Sequence, residues 1–168
     1  AAQLAGAQST LTDTTHVSLD EIVISANKSS ESKKSVSQQM QVIDAQQIQN
    51  MLAQTTADVI ANSGAIAVQK SQLGGGSPVI RGFEANRVLL VIDGVRMNNI
   101  IYRGGHLQNI VTLDNSILDR AEILFGPSST MYGSDALGGV IHFYTRKPLF
   151  NDGSDKLLVK ANAYSRYG

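Results

Sequence analysis

Of the 168 residues, 42% are apolar and only 5% aromatic, and neither cysteine nor tryptophan occurs. The lack of cysteine excludes disulfides, thiolate metal sites and a cysteine nucleophile. The 14 basic residues balance 14 acidic ones and form no stripe, which sets nucleic-acid binding aside.

The length suits one domain with a polar, thin core. No run approaches the roughly 20 apolar residues of a membrane-spanning helix. Residues 1–37 are rich in Ser, Thr, Gln and Lys and read as a flexible arm. The small residues at its start read as the end of a cleaved leader or as an expression remnant. One island interrupts the arm between Leu19 and Ala26, where Ile22, Val23 and Ile24 are β-branched in succession. Such a run favours extended backbone, here with no partner strand evident nearby.

Regular structure is expected to begin with a short strand from Met40 to Ile43. Asp44, followed three positions later by Gln47, has the spacing of a capping box ahead of Ile48, Met51 and Leu52. Thr56 is the expected cap of a second helix, with Val59 and Ile60 buried and Gly64 as its stop. Ala65 to Lys70 alternates apolar and polar like a half-buried strand. Gln72 to Ser77 reads as a glycine-rich loop, Val79 to Arg81 as extended, and Arg87 to Ile92 as a buried apolar strand closed by Asp93-Gly94. Residues 97–112 show little periodicity and read as a long loop. Thr112 or Asp114 caps a helical turn through Ile117 and Leu118.

Two strands, Ala121 to Phe125 and Val140 to Thr145, complete the pattern. Between them lie a Gly126-Pro127 turn, a helical turn from Ser134 to Leu137 and a Gly138-Gly139 stop. Gly133, Gly138 and Gly139 fall where left-handed dihedrals or close approach are needed. Short strands alternating with short helices over residues 38–150 define an α+β domain with a small mixed sheet. Beyond it, residues 156–168 change in kind. Leu157, Val159, Ala161 and Ala163 share one face, opposite Leu158, Lys160, Asn162, Tyr164 and Arg166. That alternation suits either an edge strand of a soluble sheet or the first strand of a membrane barrel. A single strand cannot close a barrel, so the second reading makes the chain part of something much longer.

Five segments in order resemble the plug domain of TonB-dependent outer-membrane receptors. They are Val-Ile-Arg-Gly-Phe at 79–83, Val-Leu-Leu-Val-Ile-Asp-Gly-Val at 88–95, Asp-Arg-Ala-Glu-Ile at 119–123, Gly-Pro-Ser-Ser at 126–129, and Tyr132-Gly133 through to the Gly-Gly-Val-Ile at 138–141. One departure is Phe125, where the family usually carries a basic residue. The resemblance implies a gate inside a β-barrel of about 22 strands, whose lumen is too wide for its own side chains to fill. It also implies that the island Asp20, Glu21, Ile22, Val23, Ile24, Ser25 and Ala26 is a TonB box, pairing as an added strand with the C-terminal domain of TonB. Arg81 and Glu122 fall at positions that the resemblance assigns to ion pairs with the barrel wall. The alternative for both is a solvated or internally paired charge. By the same resemblance the protein lies in the outer membrane of a Gram-negative bacterium, its arm facing the periplasm.

The segment from Asn98 to Asn109 follows the Asp93-Gly94 strand and is similar to an apical loop of the haem-receptor branch. There the resemblance makes His106 an axial ligand of haem iron, with Tyr102 and Arg103 lining the same ligand-binding loop. Haem, a haem protein or another iron chelate is then the transported ligand and not a resident cofactor. Ferric siderophores and cobalamin are the alternatives, as is a stand-alone periplasmic interaction or signalling module. His142 lies within a strand and reads as structural; His16 lies in the arm; neither suggests a zinc site. Catalysis is disfavoured. Gly74 to Gly76 is followed by no Lys-Ser/Thr pair, and Ser128, Ser129 and Ser134 lack a nucleophile elbow.

Overall fold

The structure, a computed structural model, describes residues 22–72, 75–84, 87–97, 110, 113–148 and 150. The elements in chain order are β1 (Ile22–Val23), β2 (Glu31–Ser32), β3 (Met40–Asp44), α1 (Ala45–Asn50), α2 (Thr56–Asn62), β4 (Ala67–Gln72) and β5 (Gly75–Val79). They continue with β6 (Val88–Ile92), β7 (Val95–Arg96), β8 (Leu118–Phe125), α3 (Ser129–Tyr132) and β9 (Gly139–Thr145). Five strands form the central sheet in the order β3-β8-β9-β6-β7, and β1-β2 and β4-β5 are separate two-stranded units. Only β6 and β9 run parallel; β8 is antiparallel to both its neighbours. The sheet is mixed, as expected of an α+β domain.

Strand alternation divides the core between the two faces. Val88 and Leu90 of β6, Ala121 and Ile123 of β8, and Ile141 and Phe143 of β9 pack with Ile48, Val59 and Ile60 from the helices. Leu89, Val91, Leu124 and Val140 point the other way, onto Ala26, Tyr132 and Ala136. A strand covered on both faces reads as a continuous apolar run, which accounts for β6.

The Asp44 capping box forms, and the second helix is also capped by a box, one residue before the expected Thr56. Thr55 is the cap of α2, and its side chain and that of Asp58 bond each other's backbone amides. Only Thr55 has an acid at the spacing that closes a reciprocal box; Thr56 instead donates to the Leu113 carbonyl at 2.6 Å. The helical turn expected at Ser134 to Leu137 lies earlier, at α3. Pro127 cannot donate to a strand, and the Ser128 carbonyl accepts from the Met131 and Tyr132 amides to start the turn there. The expected loop from Gln72 to Ser77 is also revised, since Gly75–Val79 is strand β5, paired with β4.

Gly76 serves that pairing by closeness, because a Cβ there would lie 2.5 Å from Val68 Cγ1 and 3.0 Å from Ala57 Cβ. At Gly139 the obstacle is backbone, its would-be Cβ lying 2.5 Å from the Leu124 carbonyl oxygen. A side chain such as Val68 can shift, whereas a carbonyl inside the β8–β9 ladder cannot. Urea unfolding is therefore expected to show Gly139→Ala destabilised by about 2–3 kcal/mol and Gly76→Ala by about 1 kcal/mol. Equal, small effects would contradict this packing.

Candidate functional site

The second face of the sheet carries a polar half beside its apolar one. On β8, Arg120 and Glu122 alternate with Ala121 and Ile123, and the register sets Glu122 opposite His142 of β9. Glu122 is 0% exposed, and a buried carboxylate is costly unless its oxygens are bonded. Here both are. Oε1 accepts from Arg120 Nε at 2.9 Å. Oε2 accepts from the Ile24 amide at 3.1 Å, the Ser25 amide at 2.8 Å and the Ser25 hydroxyl at 2.5 Å.

Those last three donors belong to the island of the arm. Far from lacking a partner strand, Ile22 and Val23 pair antiparallel with Ser32 and Glu31. Val23 and Ser25 are fully buried, and Ala26 joins the apolar cluster of the second face. Tyr132 of α3 closes the clasp from the other side, donating to the Ser25 carbonyl at 2.7 Å. Burial, then the nearby Glu122 charge, pushes the Tyr132 phenol up to about 12, so it stays a neutral donor. Lys28 Nζ lies 5.0 Å from the centre of its ring. Ile22, by contrast, is 57% exposed.

His142 extends the polar cluster away from the arm. Its Nε2 accepts from the Gly94 amide at 3.0 Å in the turn between β6 and β7. A neutral imidazole with Nε2 as acceptor carries its proton on Nδ1, which faces the Tyr144 hydroxyl at 3.1 Å. The two rings stack with centroids 4.1 Å apart, and Arg120 lies over Tyr144. Burial lowers the His142 pKa to about 4, partly opposed by the Glu122 and Asp93 charges. The structural reading of His142 fits these contacts.

Arg81 and Glu122 differ in exposure. Arg81 is exposed and belongs to a tight turn and not to a strand, with φ of 51° and the Ile80 and Phe83 backbones bonded to each other across it. Its guanidinium bonds the Gln39 side chain and lies 5.8 Å from the centre of the Phe125 ring. The aromatic residue that departs from the plug pattern thus serves as a cation–π platform. Glu122 sits mid-strand on a covered face and is paired internally, the alternative to a barrel-wall contact. The clue available in the sequence was parity, since Glu122 shares its face with Leu124. What parity does not reveal is that the arm folds back onto that face. Asp20, Glu21, Tyr102, Arg103 and His106 lie outside the described residues, as does the tail at 156–168. Among the described residues, no group of three or more His, Asp or Glu side chains is placed to hold a metal, and no helix is long and apolar enough to cross a membrane.

Residues 32–140 match the TonB-dependent receptor plug domain, and the chain belongs to that family. It is 36% identical over 139 residues, 80% of its length, to the vitamin B12 transporter BtuB of Vibrio vulnificus, covering 22% of that protein. To a hemin receptor of Yersinia enterocolitica it is 32% identical over 97% of its length, covering 23% of that protein. The chain thus spans less than a quarter of these relatives. Among solved structures, the alcaligin outer-membrane receptor FauA of Bordetella pertussis shares the fold at a TM-score of 0.61 and 24% identity, over 77% of this chain and 22% of that one. The pyoverdine receptor FpvA of Pseudomonas aeruginosa aligns equally well, at 0.61 and 22% identity over 76% of this chain and 18% of its own.

The environment of His142 has a measurable consequence. Its folded-state pKa lies below the ordinary value of 6.5, so its contribution to stability is complete above pH 6.5 and is lost as pH falls toward 4. In the 13C-labelled chain the imidazole is expected to titrate near pH 4, with the Gly94 amide resonance moving at the same midpoint. A midpoint near 6.5 would mean that the ring is open to water.

Proposed function

We propose that this chain is the gate and coupling region of an outer-membrane receptor that imports a scarce nutrient. In this reading residues 38–150 plug the lumen of the receptor's own barrel, which begins at 156–168. The arm at 1–37 faces the periplasm, and the segment Asp20 to Ala26 pairs with the C-terminal domain of TonB. Arg81, exposed beside Phe125, is the plug residue that meets the barrel wall. The work is mechanical and the protein is not an enzyme. The single observation that carries the reading is the island itself. A short β-branched segment within a polar arm is held on the plug sheet largely by hydrogen bonds, so it can leave without opening the main apolar core. Strand addition asks little more of it than extended backbone.

Haem is the favoured cargo. Support comes from the hemin receptor of Yersinia enterocolitica, which the chain matches over 97% of its length, and from His106, whose imidazole suits an axial iron position beside Tyr102 and Arg103. The likeness to BtuB favours cobalamin as the second reading, with ferric siderophores as a third.

Titration of the full receptor with hemin is expected to give a shifted Soret band that His106→Ala weakens at least tenfold in affinity. An unchanged band and affinity would remove the haem assignment. Replacing Val23 with Pro is expected to abolish growth on the limiting nutrient while surface binding persists. Loss of binding as well would contradict the coupling role.

A further inference from the structure

Where the chain leaves β9 it is pinned in place. The Arg146 amide donates to the Ile117 carbonyl at 2.8 Å, and Arg146 Nε donates to the Leu118 carbonyl at 3.3 Å. Beside that exit Ile117 is 45% exposed, and Leu52 is 70% exposed. Asn115 ties the two positions together, because its Nδ2 donates at 3.0 Å to the carbonyl of Ala53, the neighbour of Leu52. Exposed apolar side chains scattered over a surface are ordinary. Leu52 is not, since its φ of 47° is a left-handed conformation that a bulky residue adopts only at a cost. Two exposed acids, Asp114 and Asp119, flank Ile117 along the chain.

The segment at 156–168 carries the complement to this patch. Its even positions hold the cations Lys156, Lys160 and Arg166 with Leu158, Asn162 and Tyr164 between them, and no acid. The odd positions from Leu157 to Ala163 are apolar, as the lipid face of a barrel strand requires. We infer that the even face of 156–168 docks on the patch of Leu52 and Ile117, with its cations meeting Asp114 and Asp119. The inference rests on the reading of 156–168 as the first barrel strand and adds the plug surface that this strand covers. Fully extended, the stretch from Arg146 to Leu158 spans about 40 Å, enough for the segment to return along the side from which it left. The apolar contact supplies the attraction, and the opposed charges at the rim set the register.

The test uses cysteine pairs in the full receptor in outer membranes. This chain has no cysteine, and any elsewhere in the receptor is replaced by serine. Ile117→Cys is combined in turn with Leu158→Cys, Val159→Cys, Lys160→Cys and Ala161→Cys, and Leu52→Cys serves as a second anchor with the same four. Both anchors lie on the surface, so neither substitution opens the core. After mild oxidation, mass spectrometry of the linked peptides is expected to show the even positions joined at least about fivefold more than the odd ones, because a bridge needs Cβ atoms that face each other. Single cysteines at Val159 and Ala161 are expected to resist a water-soluble maleimide. Shielded odd positions without selective cross-linking of the even ones would overturn the docking and leave the barrel reading standing. Odd positions that react as fast as in the denatured receptor would overturn the barrel reading, and the docking with it.

Discussion

A carboxylate that is wholly removed from water must find bonds for both oxygens, and Glu122 finds them in two different parts of the chain. One oxygen faces Arg120 on its own strand, and the other gathers the backbone at Ile24 and Ser25. The requirement fixes where the arm crosses the sheet, and the remaining contacts follow from that crossing. Ala26 falls onto the apolar patch of Leu124 and Val140, and the Ser25 carbonyl falls within reach of Tyr132. The chain between β1 and β2 then turns back so that Val23 pairs with Glu31. Removing the carboxylate would leave these smaller contacts without the anchor that brings them together.

The two faces of the central sheet divide the labour. One is sealed by α1, α2 and the β4-β5 hairpin over an apolar cluster that includes Ile60, Ile123, Ile141 and Phe143. Apolar burial of this kind is insensitive to direction and resists local opening. Among the described residues the opposite face, which carries the polar row of Arg120, Glu122, His142 and Tyr144, is covered by a short arm and the four residues of α3. Directional bonds between groups that water can also satisfy are easier to exchange. Under the proposed coupling role, the apolar cluster lies beneath the part that stays and the polar row beneath the arm that leaves.

Much of this was legible in the sequence because local chemistry decided it. The Asp44–Gln47 spacing specifies a cap without tertiary help, and the unbroken apolar run at β6 signals a strand buried on both sides. Errors arose where contacts distant in sequence decided. Gly76 looks like a loop residue until the close approach of Val68 and Ala57 is known. Thr56 looks like a cap until its hydroxyl is seen bonded to Leu113. Glu122 is the sharpest case. Its identity and its strand were readable, yet its role depends on residues 97 and 98 positions away along the chain, and no local pattern announces such a pairing. The island at Ile22 to Ile24 was visible as extended, but its docking was not, since Glu31–Ser32 carries no strand signal of its own.

The direct test of the docked arm is a double-mutant cycle between Ser25 and Glu122, read as unfolding free energy for Ser25→Ala, Glu122→Gln and the pair. Because the hydroxyl donates to the carboxylate in a buried setting, a coupling energy of about 1–2 kcal/mol is expected, with the double variant less damaged than the sum of the singles. Additivity within about 0.3–0.5 kcal/mol would mean that the two side chains do not meet. The arm would then have to be placed elsewhere.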